Sequence, residues 1–179
     1  MRVPVFLDRD GVINENREDY VRNLSQWKPL PGAVEAVGSL AAGGHPVVIV
    51  TNQSGIGRGY YTHSAVEEIH SAMLTAFAAA GAEGVSVYYC PHHPSESCSC
   101  RKPETGMIEK AREELSLPKR GWMVGDADSD MELGRRSGLK TILVLTGRGA
   151  DQLEKIRAAG GPVPDFVTDS LVSALRIIS

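Results

Sequence analysis

The sequence predicts an α/β fold: one doubly wound, mainly parallel sheet. Three observations point there. Apolar strand candidates recur at 3–8, 46–51, 85–89, 121–125, 140–145 and 165–167. Helix-like stretches lie between most of them, at 32–42, 63–80, 105–115, 128–137, 149–159 and 170–178. The first, second and fourth strand candidates stop abruptly at acidic, hydroxyl or amide groups. Alternating strand and helix patterns favour parallel strands joined by crossover helices. Ligands bind such sheets at the carboxyl ends of the strands. The 179 residues suit a single domain, 1–179, with a sizeable core and no repeat, low-complexity segment or linker.

The first strand candidate sets the frame. Val5-Phe6-Leu7 is a continuous apolar run, as in a strand buried on both faces. It ends in Asp8-Arg9-Asp10-Gly11, two carboxylates two residues apart and then a glycine. A polar turn is the plain alternative, since Asp-Gly is common in turns. A long polar connection follows, 11–31, with Tyr20 and Trp27 for local packing. Loops of that length are more often functional than idle. Pro31-Gly32 can open the first helix and Gly43-Gly44 can stop it.

The second strand, Val47-Val48-Ile49-Val50, runs into Thr51-Asn52-Gln53-Ser54-Gly55-Ile56-Gly57-Arg58-Gly59. Hydroxyl, amide and glycine groups there offer donors and close backbone approach to a phosphate. A dinucleotide loop does not fit, because Tyr60 stands where the last glycine is needed. A Walker A loop does not fit either, because no Gly-Lys-Ser/Thr follows. A flexible glycine turn remains the plain alternative.

The third strand leads into Cys90-Pro91-His92-His93-Pro94 and then Cys98-Ser99-Cys100-Arg101-Lys102-Pro103. All three cysteines of the chain lie between positions 90 and 100. An odd, clustered set does not read as a disulfide framework and suits a reducing cytoplasm. Cys90, His92, Cys98 and Cys100 form a Cys-x-His and a Cys-x-Cys pair, the ligand set of a closed, structural zinc site. Incidental reduced thiols are the alternative. The zinc loop, 90–103, ends in two cations that it could hold in place for an anion.

The fourth strand, Trp122-Met123-Val124-Gly125, ends in Asp126-Ala127-Asp128-Ser129-Asp130. A calcium loop fails, with Met131 in place of glycine and Ser137 in place of glutamate. A helix cap or a magnesium site at a strand end remains: Asp128 suits the N-cap of the next helix, which leaves Asp126 and Asp130 needing another explanation. After 140 no residue carries an evident chemistry, and Arg148 and Asp151 read as surface residues.

Composition narrows the partners. The net charge of −3 argues against general nucleic-acid affinity. The first apolar stretch is broken by Asp8-Arg9-Asp10, too early for a signal peptide, and nothing approaches a membrane span. A cytoplasmic monomer acting on a small molecule is the default expectation.

Taken together, Asp8-x-Asp10-Gly11, Thr51, Lys102 and Gly125-Asp126-x-x-x-Asp130 resemble the four motifs of the haloacid dehalogenase (HAD) superfamily of phosphatases. The zinc loop and Thr51-Asn-Gln-Ser-Gly-Ile-Gly-Arg-Gly further resemble the zinc-containing D-glycero-D-manno-heptose-1,7-bisphosphate 7-phosphatases. Histidinol-phosphate phosphatases are the neighbouring family. The match runs over nearly the whole chain, with no large cap domain inserted, so loops must select the substrate.

The resemblance implies a magnesium-dependent phosphomonoester hydrolase acting on a sugar phosphate. Asp8 would attack phosphorus and form an aspartyl-phosphate. Asp10 would protonate the departing oxygen, which requires a raised pKa, and then accept a proton from water. Magnesium would be held by Asp8, the Asp10 backbone carbonyl and Asp126. Lys102 and Thr51 would bind phosphoryl oxygens, and Asp130 would orient Lys102 or a metal-bound water. Asn16, Arg17, Asp19, Tyr20, Asn52, Gln53, Ser54 and Arg101 would contact the sugar, Arg101 through the retained phosphate. One departure stands out: family members often carry lysine where this chain has Ala127. A dehalogenase, a phospho-accepting receiver and a non-catalytic zinc-stabilised module are the competing readings. A receiver normally bears its acceptor on the third strand, where this chain has cysteine.

Overall fold

Hydrophobic strands that must be covered on both faces need helices on both faces, and the chain supplies them. The computed structural model describes residues 2–178. Its strands are β1 (Val5–Leu7), β2 (Val47–Asn52), β3 (Ser86–Cys90), β4 (Trp122–Gly125), β5 (Lys140–Val144) and β6 (Phe166–Thr168). They form one sheet in the order β3-β2-β1-β4-β5-β6, parallel throughout. The helices are α1 (Ala33–Ala42), α2 (His63–Ala79), α3 (Gly106–Leu115), α4 (Asp128–Arg136), α5 (Gly149–Ala159) and α6 (Leu171–Ile178).

Side chains alternate across β1 and divide the core. Val5 and Leu7 pack with Val37, Leu40, Met73, Phe77, Leu171 and Ala174 of α1, α2 and α6. Phe6 packs on the opposite face with Met107, Ile108 and Leu133 of α3 and α4. Met131, Leu143 and Ile156 join α4 and α5 to that face. The predicted elements are all present, with ends shifted by a residue or two. The first strand is the largest change, shrinking from 3–8 to Val5–Leu7. Pro4 has no N–H to give, and the Val3 carbonyl is taken by the His45 ring at 2.8 Å.

β1 is hydrogen-bonded on both sides, Val5–Leu7 facing Val47–Ile49 and Trp122–Val124. The sheet order reverses direction around it, so its carboxyl end opens into the crevice where parallel sheets bind ligands. The connection 11–31 contains one 3-10 turn, Leu24–Gln26, and is pinned by the bridges Asp10–Asn14 and Asn14–Pro29. Thr62 caps α2 through Oγ1, which accepts from Ala65 N at 3.2 Å. Among the described residues no helix is long and apolar enough to cross a membrane.

Candidate active site

The carboxyl ends of β1 and β4, with the turn before α3, bring three acids around one lysine. Lys102 Nζ lies 2.8 Å from Asp8 Oδ1 and 2.7 Å from Asp130 Oδ1. It also donates to Val50 O at 3.1 Å. Asp8 Oδ1 accepts a further bond from Arg9 N at 2.7 Å, so Oδ2 is the oxygen left outside these contacts. Lys102 is fixed from behind: its N–H donates to Asn52 Oδ1 at 3.0 Å and its carbonyl accepts from Asn52 Nδ2 at 3.3 Å. Asp130 Oδ2 accepts the Ala127 N–H at 3.1 Å, capping α4 from its third position. The helix starts after Ala127, so Asp128 is its first residue instead of its N-cap.

One cation does not balance three buried carboxylates. Burial pushes Asp8 up to about 7, with Lys102 pulling it down and Asp130 adding to the rise. Burial pushes Asp126 up to about 6, with the Asp8 charge adding to it. Asp130 is raised mainly by burial too. For Lys102 the burial cost is outweighed by Asp130 and Asp8, and its pKa rises. Asp126 Oδ1 is buried without a hydrogen bond; its nearest cation is Arg148 Nη2 at 3.5 Å. Oxygens of Asp8, Asp126 and Asp130 lie within 4.8 Å of one another. An orphaned hard oxygen in a cluster of three buried carboxylates fits a magnesium ion, which prefers carboxylates, waters and phosphate.

Asp10 departs from expectation. Arg9 Nη2 donates to both its oxygens at 3.0 Å, Asn14 Nδ2 donates to Oδ1 at 2.9 Å and Gln53 Nε2 donates to Oδ2 at 2.9 Å. Burial pushes its pKa up, but the Arg9 charge and these donors outweigh it, so the pKa is lowered. The raised value expected from the sequence is therefore corrected for the substrate-free protein. Gln53 is also relocated. It was expected on the sugar; instead it is buried, bonded to Asp10, Thr51 and Tyr61.

A cavity of about 820 Å³ opens above these residues. Asp8, Asp10, Thr51 and Lys102 form its floor. Asn16, Arg17, Tyr20, Asn52, Ser54 and Arg101 line its walls. Asp19 does not; it holds Arg17 through Nε and Nη2 at 2.9 and 3.1 Å. Tyr20 leans on Tyr60 and Tyr61 with centroids 5.5 and 6.0 Å apart, tying the 11–31 loop to the segment after β2. The glycines of that segment do not cradle the cavity. Gly57 instead lets the backbone press against His92–His93, with its N–H on Pro91 O at 2.9 Å.

The loop after β5 is the part sequence reasoning missed. Thr146 Oγ1 donates to Gly11 O at 2.7 Å, and Arg148 N donates to Asp126 Oδ2 at 2.8 Å. Gly147 has φ +59°, and a side chain there would collide with Asp126 and Gly11. Arg148 and Asp151 are exposed, in keeping with their reading as surface residues, and both also line the cavity. The Thr-Gly-Arg-Gly run at the end of an apolar strand was the available signal.

The zinc quartet comes together as expected from its spacing. Cys90 Sγ lies 3.7 Å from Cys98 Sγ and 3.5 Å from His92 Nδ1. Cys100 Sγ lies 3.7 Å from Cys98 Sγ and 3.2 Å from His92 Nδ1. Two zinc–sulfur bonds at a tetrahedral angle span about 3.8 Å, and a zinc–sulfur/zinc–nitrogen pair about 3.5 Å. The donor set and edge lengths fit zinc, and Nδ1 is the ring nitrogen that would bind it.

Comparisons with known proteins agree with this geometry. A family model described as HAD-hydrolase-like matches residues 99–174. A D-glycero-beta-D-manno-heptose-1,7-bisphosphate 7-phosphatase from Pseudomonas putida is 40% identical over 173 residues, 96% of this chain and 97% of the relative. The enzyme of that name from Neisseria meningitidis is 40% identical over 152 residues, 84% of this chain and 81% of the relative. The crystal structure of D,D-heptose 1,7-bisphosphate phosphatase from B. bronchiseptica, complexed with magnesium and phosphate, has a TM-score of 0.89 at 31% identity. That match covers 99% of this chain and 98% of the other.

Proposed function

Because this chain belongs to the D-glycero-β-D-manno-heptose-1,7-bisphosphate 7-phosphatase family of HAD-like phosphatases, we propose that it hydrolyses the 7-phosphate of that sugar and leaves the 1-phosphate in place. The protein is an enzyme, a phosphomonoester hydrolase. The observation that carries the mechanism is Asp8, held by Lys102 on Oδ1 with Oδ2 outside those contacts, on the floor of the cavity.

Asp8 Oδ2 attacks phosphorus in line, forming the P–Oδ2 bond as the bond to the sugar oxygen breaks. A proton passes from Asp10 to that departing oxygen. The dianionic charge of the bound phosphate raises the Asp10 pKa, opposing the donors that lower it before binding. Asp10, ionised once it has given up its proton, then takes a proton from the water that cleaves the aspartyl-phosphate. Lys102 and the Thr51 hydroxyl bind the transferring oxygens. Asp8, Asp126 and the Asp10 carbonyl would hold magnesium, which would neutralise phosphate charge beside the nucleophile.

Arg101 and Arg148 stand on the cavity wall for the retained phosphate. Arg101 Nη1 is buried without a hydrogen-bond partner, a donor free for an anion. Arg148 supplies a cation beside Asp126 although Ala127 offers none. Zinc would stiffen the loop that presents Arg101 and Lys102. Phosphate release from the β heptose bisphosphate, the α anomer and histidinol phosphate, each with and without magnesium, tests the reading. A higher kcat/KM for the β bisphosphate is expected. A preference for histidinol phosphate would overturn the substrate, and release unaffected by Asp8→Asn would overturn the mechanism.

A further inference from the structure

Asp10 is surrounded only by donors, and a second layer explains why. Two of its partners, Asn14 and Gln53, are amides that could present either a donor or an acceptor. Each carbonyl is met by a donor from behind, and the Trp27 indole can act in no other sense. The Trp27 indole N–H, which can only donate, bonds Asn14 Oδ1 at 3.2 Å. Asn14 therefore turns its NH2 to Asp10. The Tyr61 hydroxyl donates to Gln53 Oε1 at 2.8 Å, and Gln53 therefore turns its NH2 to Asp10 and Thr51. Burial pushes the Tyr61 hydroxyl up to about 12, so it keeps its proton.

The third partner is held in the same way. Arg9 is wholly buried, an expensive place for a guanidinium. Its Nη1 lies 3.1 Å from His70 Nε2. A guanidinium has no acceptor, so His70 must accept there and carry its proton on Nδ1. His70 is buried on α2, against the edge of the Tyr89 ring at 5.4 Å, where desolvation keeps it neutral. Tyr61 and His70 lie outside the cavity lining, as does Trp27.

We propose that Trp27, Tyr61 and His70 are positioning residues for the hydrolysis: they fix the donor ends of Asn14, Gln53 and Arg9 on Asp10 and thereby aim its carboxyl at the departing oxygen. The three come from different segments, the 11–31 loop, the turn before α2 and α2 itself, and converge on one side chain two bonds away. This rests on the role of Asp10 given above. Without the Tyr61 hydroxyl the Gln53 amide can turn its carbonyl toward Asp10. Without the Trp27 N–H the Asn14 amide can do the same. The carboxyl then loses its fixed aim while Asp8, Lys102 and Thr51 keep theirs.

The test separates proton donation from everything else by leaving group. A sugar phosphate needs its departing alkoxide protonated; p-nitrophenyl phosphate does not. The value of kcat/KM reports only steps up to departure of the leaving group, so the later water step does not enter. Asp10→Asn sets the scale by losing sugar-phosphate hydrolysis selectively. Tyr61→Phe and Trp27→Phe are expected to lower kcat/KM for the sugar phosphate about tenfold, the scale of outer-shell support. For the aryl phosphate the same variants should change it less than about twofold, since general-acid assistance is not used there. His70→Gln, which keeps an acceptor, should stay near wild type, and His70→Leu should show the selective loss.

An equal fall for both substrates, or no fall in either, overturns the proposal. Tyr61→Phe removes one oxygen, so it decides the matter if thermal melts show the other variants misfolded. If Asp10→Asn itself lowers both substrates equally, the proton-donor role fails first and this inference falls with it. If Asp10→Asn is selective and Tyr61→Phe is not, only this inference fails.

Discussion

Lys102 Nζ sits 2.8 Å from Asp8 Oδ1, with 3% and 8% of the two side chains exposed. In so dry a place the ammonium is the counter-charge of Asp8, and in the proposed mechanism it would donate to the transferring phosphoryl group. Lys102→Ala is expected to lower kcat by roughly 10²–10³-fold, the effect of losing one pre-aimed donor. Thermal stability should fall as well, because Asp8 and Asp130 lose their buried cation. Steady-state phosphate release and a melting curve check both. A kcat close to wild type would remove Lys102 from the reaction.

The acid cluster dictates how magnesium binding should follow pH. Asp8 is raised from 3.8 to about 7 and Asp126 from 3.8 to about 6, burial being the main cause of each. The folded protein therefore holds protons that the unfolded chain gives up. Their contribution to metal-free stability is complete below the unfolded value of 3.8 and is lost as pH rises through about 6 to 7. Magnesium competes with the same protons. Its affinity should rise at least about tenfold between about pH 5.5 and about pH 7.5, with proton release on binding. Calorimetry in buffers of different ionisation enthalpy reads both. A pH-independent affinity would show that these carboxylates are not its ligands.

Zinc is expected at about one atom per chain, as four ligands of the structural type require. Removing it with a strong chelator, or substituting Cys98→Ser, should lower the melting temperature by about 5–10 °C. Cobalt in its place should give the intense visible bands of a tetrahedral sulfur-rich site. Unchanged melting in the metal-free protein would reduce the quartet to incidental thiols.

Gly147→Ala tests the loop after β5. The backbone there has φ +59°, and the new methyl would meet Asp126 and the Gly11 backbone. The conformational cost is about 1–2 kcal/mol before any clash. Displacing Asp126 should also weaken magnesium binding, which a substitution acting on stability alone would not do. Gly138→Ala, at φ +67° with open space around it, is the matched control and should leave magnesium affinity alone.

Much of this was legible in the chain. The parallel sheet could be read because Val5–Leu7, Val47–Val50 and Leu143–Val144 are apolar on both faces, which antiparallel strands with one wet face are not. The Asp8–Lys102–Asp130 cluster could be read because strand-end acids and a lysine in the loop before α3 have few places to meet. The zinc quartet was local in sequence. Asp10 was harder: its pKa depends on Arg9, Asn14 and Gln53, and two of those belong to a loop and a strand end whose side-chain directions no periodicity encodes. Arg148 was missed because its closest tie to Asp126 is made by the backbone N–H, which every residue type carries, with the guanidinium following at 3.5 Å. Gln53 was misplaced because an amide suits a sugar hydroxyl and a carboxylate equally well.

The double grip of Asn52 on the backbone of Lys102 has a consequence for the stretch ahead of that lysine. Its position is set by β2, so the number of residues between Cys90 and Cys98 is free to vary. Residues 94–97 are exposed, in a short turn closed by the Glu96 N–H on His93 O at 2.9 Å, on a tether anchored at both ends. Lengthening such a tether costs only a logarithmic entropy penalty. A short insertion there, for a label or a tag, should leave the Lys102 ammonium between Asp8 and Asp130.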